Sequence, residues 1–236
     1  DCVVHLGARG SVPRSIKNPV QTHEINSTGT LNVLEACREY GVRYIFSSSS
    51  SVYGANMALP KNEQMVLKPL TPYGASKMAG EALSLAYANS YSLPVTTFRF
   101  FNIFGPWQRP DHEYAAVIPK WIWQAMENKG ITIFGDGNQT RDFVNVKDVV
   151  EGMFLSFIKE TVQNGVYNIS TGVETSINQL VNTLESKTGK STKHNYAEPL
   201  KNDIRKMSFS YKKAQSDFGF KPEYDLDKGL NEYVQW

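Results

Sequence analysis

Short apolar runs alternate with segments of helical periodicity along the first half of this chain. Residues 42–46 and 95–101 are short and rich in β-branched and aromatic residues, as strands are. Residues 26–40 and 73–91 place apolar side chains at helical spacing, and Gly41 stands where a helix would end. Strands that alternate with helices are typical of a parallel sheet. We therefore predict an α/β fold whose ligands bind at the carboxyl ends of the strands.

The second half continues this alternation less regularly. Its predicted helices and strands are 118–126, 131–134, 146–158, 166–169, 176–187 and, as a last short helix, 211–218. No repeat and no linker-like segment separates them. We therefore expect two lobes that interleave along the chain rather than two domains with a clean boundary.

The charge balance excludes several classes of partner. Of 236 residues, 25 are Lys or Arg and 23 are Asp or Glu, which gives a net charge of +2. A charge this small predicts neither nucleic acid nor an anionic membrane as a partner. No apolar stretch approaches the ~20 residues that a membrane-spanning helix needs.

Residue types that bind metals or form disulfides are sparse. The four histidines are scattered, and Cys2 and Cys37 lack the short spacing of metal or redox motifs. We therefore expect no metal, and we expect a reducing cytoplasm as the location.

A tyrosine and a lysine four residues apart open the long predicted helix. Tyr73 and Lys77 therefore lie about one turn apart on one helix face. A phenol ordinarily ionises at about pH 10, so acid–base chemistry near neutrality requires a nearby positive charge, which a lysine can supply. An exposed surface pair is the alternative interpretation. Tyr224 and Lys228 repeat the spacing in a polar segment, and we assign them no role.

A serine-rich strand end precedes this helix. The predicted strand at 42–46 runs into five serines and then into Val-Tyr-Gly. A strand-end serine such as Ser49 can hydrogen-bond a sugar hydroxyl and pass its proton to a tyrosine. Asn102 ends the next predicted strand, so it should reach the same edge of the sheet. A solvated loop is the alternative interpretation of the serine run.

The chain begins within a predicted strand at residues 2–6. Gly7 and Gly10 follow it and suggest a dinucleotide-binding fingerprint, whose third glycine position is occupied by Pro13. Proline offers no amide and does not allow the close helix approach that glycine allows. We therefore favour the other interpretation, that the strands carrying such a loop are missing from the N-terminus.

Six segments together resemble the extended short-chain dehydrogenases, in particular the NAD-dependent epimerase/dehydratase family. Residues 5–8 look like its fourth-strand cofactor contact, 26–31 like its helix with a nicotinamide-side asparagine, 47–54 like its catalytic-serine strand, 73–77 like its Tyr-x-x-x-Lys motif, 99–102 like its Arg-x-Phe-Asn segment, and 140–144 like its pyrophosphate-binding arginine segment. The resemblance covers essentially the whole chain. It implies an N-terminally truncated Rossmann-type parallel sheet with a smaller, interleaved C-terminal substrate-binding lobe.

This resemblance also implies how the chain is divided and which residues bind NAD. Residues 1–102 would be the remaining part of the Rossmann domain and 103–236 mainly the substrate-binding lobe, with about 143–170 returning to the Rossmann domain. Catalysis would depend on Ser49, Tyr73 and Lys77. NAD would contact Leu6, Gly7, Ala8, Asn26, Ser47, Ser48, Tyr73, Lys77, Phe100 and Ile103.

The implied substrate is a UDP-sugar. It would contact Gly10, Ser11, Ser49, Ser50, Asn102, Ala116, Val117, Arg141 and Asp203. Small residues at 10 and 11, together with segment 114–121, look most like epimerases that accept UDP-N-acetylglucosamine. One position departs from the family, because Leu200 stands where an arginine would meet the pyrophosphate. Lys201 or Arg205 would have to replace that arginine, and a lysine cannot form its bidentate contact.

Two serines after Ser49 narrow the reaction. Dehydratases and decarboxylases of the family carry an acid at one or both of these positions, where this chain has Ser50 and Ser51. We therefore expect a 4-epimerase of a UDP-hexose or UDP-N-acetylhexosamine that uses NAD and forms a homodimer through helices of the Rossmann domain. The alternatives are a dehydratase or reductase of the same fold, and a catalytically silent binding protein. The presence of Ser49, Tyr73 and Lys77 disfavours the silent protein.

Overall fold

Strands and helices alternate along the computed structural model of the chain, which describes residues 1–111, 115–159, 164–199 and 205–236. The strands are β1 Cys2–His5, β2 Arg43–Ser49, β3 Val95–Phe100, β4 Asn102–Phe104, β5 Ile131–Phe134, β6 Thr140–Arg141, β7 Phe143–Asn145, β8 Gly165–Ile169, β9 Thr175–Ser176 and β10 His194–Ala197. The α-helices are α1 Val12–Lys17, α2 Pro19–His23, α3 Gly29–Tyr40, α4 Pro72–Tyr91, α5 Val117–Met126, α6 Val146–Ile158, α7 Ile177–Thr188, α8 Lys212–Phe218 and α9 Leu226–Gln235. A π-helical turn, Glu24–Thr28, joins α2 to α3, and a 3-10 turn, Ser50–Val52, follows β2.

A four-stranded sheet in the order β1-β2-β3-β8 forms the centre of the first lobe. Every neighbouring pair is parallel, so Ser47 of β2 lies opposite Phe98 of β3, which lies opposite Tyr167 of β8. Parallel neighbours require a crossover connection, and α3 and α4 supply the first two. The predicted α/β fold is confirmed. Its parallel strands bring their carboxyl ends to one edge.

Apolar side chains cover both faces of this sheet. Successive residues of β2 point to opposite faces. Tyr44 packs with Leu34 of α3 and with other apolar side chains of α4, whereas Ile45 packs with Val149 of α6 and Phe218 of α8. The sheet is therefore buried between two helical layers, as all-parallel sheets are.

A second apolar core lies in the other lobe. It is built from α5, α7, α9, β5 and neighbouring strands, and its buried members include Phe104, Ile118, Trp121, Ile131, Ile133, Leu180, Leu184 and Leu230. The chain enters this lobe after β3 and returns through β7 and α6 to β8. Strands β4 and β7 pair in parallel where the chain leaves and returns. The two cores therefore interleave along the sequence.

Local sequence signals fix several helix ends. Helix α4 begins with Pro72 after the N-cap residue Thr71, whose side chain accepts a hydrogen bond from the Gly74 amide. Helix α3 ends at Gly41, whose φ of 62° lies in the left-handed region that glycine tolerates. The predicted end of the first helix and the predicted start of the second agree with the structure to within one residue.

Two helices differ from the sequence prediction. The prediction that 211–218 would be the last helix was wrong, because α9 follows it. In α9, Leu226, Leu230, Tyr233 and Val234 recur at helical spacing. Leu230 and Tyr233 are buried against the second core, and Asp225 caps the first turn. The helix predicted at 26–40 also extends further towards the N-terminus. It continues through the π turn into α2, which begins at Pro19.

Three general features bear on function. Both Cys2 and Cys37 are free thiols. None of the helices in the four described ranges is long and apolar enough to cross a membrane. Within those same ranges, no three His, Cys, Asp or Glu side chains are grouped as metal ligands.

Gly80 allows α4 to approach β2, because a Cβ atom at this position would lie 2.4 Å from Cζ of Phe46. We expect Gly80→Ala to lower the free energy of unfolding by about 1–3 kcal/mol, as over-packed cores do, although alanine favours a helix. Gly29→Ala is the matched control, because a Cβ there would lie 3.9 Å from its nearest neighbour. It should be neutral or stabilise by up to about 1 kcal/mol. Urea denaturation measures both, and equal effects would contradict the packing argument.

Candidate active site

Strand β2 and helix α4 bring the three predicted catalytic residues together. Ser49 is the last residue of β2, and its side chain accepts a hydrogen bond from the Ser51 amide at 3.2 Å. This bond starts the 3-10 turn that ends the strand. Because α4 begins at Pro72, Tyr73 lies in its first turn and Lys77 follows one turn later. The serine run is therefore a strand end and not a solvated loop.

The Ser49 hydroxyl lies close enough to the Tyr73 phenol to act on its ionisation. Burial raises the pKa of the Tyr73 phenol above its ordinary value, and the Ser49 hydroxyl lowers it in part. Ser49 is buried, whereas Tyr73 is partly exposed. A ligand that reaches the phenol would therefore also meet a hydroxyl that can relay a proton.

Lys77 contacts the same strand, β2, that carries Ser49. Its ammonium donates a hydrogen bond to the carbonyl oxygen of Ser47 at 2.7 Å and lies 5.2 Å from the ring centroid of Phe46. Burial lowers the pKa of Lys77 to about 8. The expectation that Lys77 lowers the pKa of Tyr73 stays a prediction.

The π turn places Asn26 at the back of the same helix. The Asn26 amide nitrogen donates to Ser76 Oγ at 2.9 Å, and Ser76 Oγ donates to the Tyr73 carbonyl oxygen at 2.8 Å. The Asn26 side-chain oxygen accepts from the Arg9 amide at 2.7 Å. Asn26 therefore ties the segment after β1 to the first turn of α4. Single π turns within helices are frequent at functional sites.

The segment after β1 fits the nicotinamide half of NAD. Leu6 is 57 % exposed, and Gly7 and Ala8 add little bulk beside it. This apolar surface suits an aromatic ring, and the Lys77 ammonium nearby suits ribose hydroxyls. The alternative glycine fingerprint does not fit as well, because α1 contains six residues and Pro13 lies in its first turn.

Two of the predicted cofactor residues turn into the interior. The Ser48 hydroxyl donates to Glu81 at 2.5 Å and is buried. Phe100 stacks on Phe98 within the sheet core, and Ile103 packs against the same core. The side chains of Ser48 and Phe100 are therefore occupied by the fold, so any contact that they make with a cofactor would come from their backbone.

A cavity of about 410 Å³ opens near the end of β3. Its lining brings together three of the predicted substrate residues, Asn102, Val117 and Arg141. The Asn102 side chain is held by a bond to the Asp142 carbonyl oxygen at 2.9 Å. The full lining is Asn102, Ala115, Val117, Lys120, Trp121, Gln124, Thr132, Phe134, Gln139, Arg141, Phe143 and Ile177.

The other predicted substrate residues are placed as follows. Ala116 is the N-cap of α5, Ser11 caps α1, and Ser50 opens the 3-10 turn. A Cβ atom on Gly10 would meet no atom within 4 Å, so open space lies beside it. Asp203 lies outside the described residues.

The segment that departs from the family pattern is described only in part. Leu200 and Lys201 lie outside the described residues. Arg205, offered as a substitute for the missing arginine, forms an ion pair with Asp136 in the turn after β5.

Sequence reasoning missed much of the cavity wall. Lys120, Trp121 and Gln124 share one face of α5 with Val117, and Phe134 ends strand β5. Helical spacing from Val117 and the strand-end position of Phe134 were the signals that could have found them.

The repeated Tyr-x-x-x-Lys spacing near the C-terminus is a surface contact. Tyr224 precedes α9, and the Lys228 ammonium lies 3.9 Å from the centre of its ring. The structure therefore gives this pair an ordinary cation–π role.

The buried ammonium of Lys77 should make stability depend on pH. Its pKa falls from 10.5 to about 8 on folding, so between these values the unfolded chain binds more protons than the folded chain. The free energy of unfolding should therefore rise with pH by roughly 3 kcal/mol over this interval, relative to Lys77→Met. Denaturant titrations at several pH values measure this difference. Lys221→Met, at an exposed lysine, is the control and should give a flat difference; the same flat result for Lys77→Met would refute the argument.

Comparison with known proteins gives a consistent result. A family model described as the NAD dependent epimerase/dehydratase family matches residues 1–170. A putative UDP-glucose 4-epimerase of Methanocaldococcus jannaschii is 37% identical over 238 residues, which cover 100% of this chain and 76% of that protein. A UDP-glucuronate 4-epimerase of Thermodesulfobacterium geofontis is also 37% identical, over 99% of this chain and 71% of its own length.

Solved structures share the fold along the whole chain. The UDP-N-acetylglucosamine 4-epimerase of Methanobrevibacter ruminantium, in complex with UDP-N-acetylmuramic acid, superposes with a TM-score of 0.95 at 34% identity, covering 100% of this chain and 76% of that one. The UDP-glucuronic acid 4-epimerase of Bacillus cereus, in complex with UDP-glucuronic acid and NAD, gives 0.92 at 32% identity, covering 100% and 74%. With the parallel sheet and the Ser49–Tyr73–Lys77 arrangement, these matches establish that the chain belongs to the NAD dependent epimerase/dehydratase family.

Proposed function

We propose that this protein epimerises a UDP-sugar at C4, with Tyr73 as the group that exchanges the proton of the 4-hydroxyl. The observation that carries the proposal is that Ser49, Tyr73 and Lys77 come together where the end of β2 meets the first turns of α4, with the Lys77 ammonium on the Ser47 carbonyl oxygen at 2.7 Å. The cavity begins nearby, because Ser49 pairs with Phe100, two residues before Asn102. The 4-epimerases among its relatives support this assignment.

Each of the three residues has a separate task in this proposal. Tyr73 takes the proton from the sugar 4-hydroxyl, directly or through Ser49, and returns it after the sugar has turned over. Ser49 orients that hydroxyl. Lys77 holds the nicotinamide ribose and opposes protonation of Tyr73 when a ligand draws it from Ser47. Leu6, Gly7, Ala8 and Lys77 would hold NAD, which when bound would supply a reversible hydride acceptor for C4.

We propose that the cavity near the end of β3 binds the nucleoside diphosphate. Arg141 and Asn102 supply cationic and amide donors for the diphosphate, and Phe134 supplies an aromatic face for the base. Val117, the first residue of α5, also lines this cavity, and Ala116 precedes it as the N-cap. Asp203 is assigned to the nucleoside on the resemblance alone.

In this proposal the two lobes bind different ligands. The part at 1–102 holds NAD, and the part at 103–236 mainly holds the nucleotide, with about 143–170 completing the sheet. Strand β8 pairs with β3 in the sheet, and helix α6 packs against the sheet. Both contacts support assigning residues 143–170 to the Rossmann domain. Ser50 and Ser51 follow Ser49 where a dehydratase would need a carboxylate, so epimerisation is favoured over elimination of water.

The sugar that we propose is an N-acetylhexosamine. Open space beside Gly10, with Ser11 next to it, would admit an acetamido group. The relatives named above act on or bind UDP-glucose, UDP-glucuronate and N-acetylated UDP-sugars, so the hexose is the finer part of the proposal.

The decisive experiment assays C4 epimerisation. We expect the protein with NAD to interconvert UDP-N-acetylglucosamine and UDP-N-acetylgalactosamine, and Tyr73→Phe to lower kcat by about 10²- to 10⁴-fold, the usual worth of a positioned acid–base group. Proton NMR of the sugar distinguishes the epimers. Tyr224→Phe is the matched control and should keep the parent rate. A Tyr73→Phe variant as active as the parent would refute the assignment, whereas turnover of UDP-glucose alone would refute only the N-acetyl sugar.

We further propose a homodimer in a reducing cytoplasm. A groove of about 440 Å³ between the π turn, α3 and α4 is lined by His23, Ser27, Thr28, Leu31, Ala79, Ala82 and Leu83. Apart from His23, these lining residues are small or apolar, and none of them is Asp, Glu, Lys or Arg. Such a surface fits a second copy related by a two-fold axis. The two free thiols are compatible with the compartment.

The dimer can be tested by placing a charge in this groove. Ala82 is exposed on α4, so Ala82→Glu should leave the fold intact. Light scattering after size-exclusion chromatography should report a dimer for the parent and a monomer for this variant. Asn182→Glu, which adds the same charge to an exposed position of α7, should remain dimeric. A monomeric parent, or a dimeric Ala82→Glu variant, would contradict the proposed interface.

A further inference from the structure

A buried ion pair joins helix α4 to the centre of the sheet. Arg99 of β3 donates to both carboxylate oxygens of Glu81, from Nε at 2.9 Å and from Nη2 at 2.8 Å. The two side chains are 4% and 7% exposed. Taking two charges out of water is costly, and apolar replacements of such pairs are often as stable or more stable. Stability alone is therefore a poor explanation for this pair.

On one side, the pair holds the residue before Ser49. The Ser48 hydroxyl donates to Glu81 Oε1 at 2.5 Å. Glu81 lies one helical turn after Lys77 on α4. One carboxylate therefore connects the strand that carries Ser49 to the helix that carries Tyr73 and Lys77.

On the other side, the pair holds the end of the 3-10 turn that follows Ser49. Arg99 Nη1 donates to the Tyr53 hydroxyl at 2.9 Å, and Tyr53 immediately follows that turn. The Tyr53 hydroxyl in turn donates to Asn168 of β8 at 2.7 Å. The Asn168 amide is fixed by the carbonyl oxygens of Lys61 and Ser210.

We infer that Glu81 and Arg99 are positioning residues, which fix the serine segment on β2 against α4 so that Ser49 stays beside Tyr73. The inference rests on the proposed function. The pair holds residues 48 and 53, on either side of Ser49, and neither member of the pair lines the cavity. A displacement of about 1 Å in such a site can lower the rate by about 10²-fold.

The sharpest variant replaces both charges at once. Glu81→Leu combined with Arg99→Met leaves no unpaired buried charge, so we expect a folded protein with a Tm equal to or above that of the parent. Its kcat should fall by about tenfold or more while KM changes little, because neither residue contacts substrate. The pH profile of kcat should also move to higher pH, since the Ser49 hydroxyl, which lowers the pKa of Tyr73, would no longer be held beside it.

Two further variants test whether the expected loss of kcat is specific to the Glu81–Arg99 pair. Glu35 and Arg38 of α3 form the same bidentate contact on the surface, with side chains 46% and 42% exposed. Glu35→Gln combined with Arg38→Gln should keep the parent kcat and pH profile. Ser48→Ala removes only the link to the strand, and we expect it to lower kcat by about two- to tenfold, the equivalent of one hydrogen bond. This variant decides the question if the double replacement does not fold.

A spectroscopic measurement separates failure of this inference from failure of the proposed function. The carbon-13 NMR signal of the Tyr73 ring, assigned by its loss in Tyr73→Phe, reports the surroundings of the phenol without any turnover. We expect it to shift in the Glu81/Arg99 double variant and to stay in place in the Glu35/Arg38 control. A folded double variant with an unshifted signal and the parent kcat would overturn the positioning role. An inactive parent with a shifted signal would overturn the epimerase proposal and leave the positioning role standing.

Discussion

The close packing of helix α4 on strand β2 is the contact on which the candidate site depends. Gly80 permits it, because any side chain there would collide with the ring of Phe46. At this distance one serine strand can contact three successive turns of the helix. The contacts are those of Ser49 with Tyr73, of Ser47 with Lys77 and of Ser48 with Glu81. If α4 moved away from β2, all three contacts would be lost together.

The sequence was sufficient for the elements that local patterns specify. The strand and helix that carry Ser49, Tyr73 and Lys77 were predicted within a few residues, because apolar runs, helical spacing and the helix stop at Gly41 are short-range signals. The resemblance added the family, and the comparisons confirmed it. Helix α9 was missed although Leu226, Leu230, Tyr233 and Val234 recur at helical spacing, so a local signal for it was present.

Long-range contacts account for most of what the sequence did not reveal. Ser48 was assigned to a cofactor on the family resemblance, and only the fold shows that Glu81, 33 residues away, occupies its hydroxyl. The aromatic and amide wall of the cavity likewise comes from segments that no short motif joins. The effects of burial and of Ser49 on the pKa of Tyr73 also depend on the fold and could not be read from the spacing of Tyr73 and Lys77.

The π turn at Glu24–Thr28 has a consequence for how this chain tolerates change in length. Such a turn holds one residue more than an α-helical turn, so it accommodates an extra residue while the helical segments on either side keep their relative rotation. Deleting a single residue there would restore a regular α-helix and leave α2 and α3 in nearly the same orientation. The helix would survive the loss. The deletion would instead change the local backbone that now presents Asn26 to Ser76.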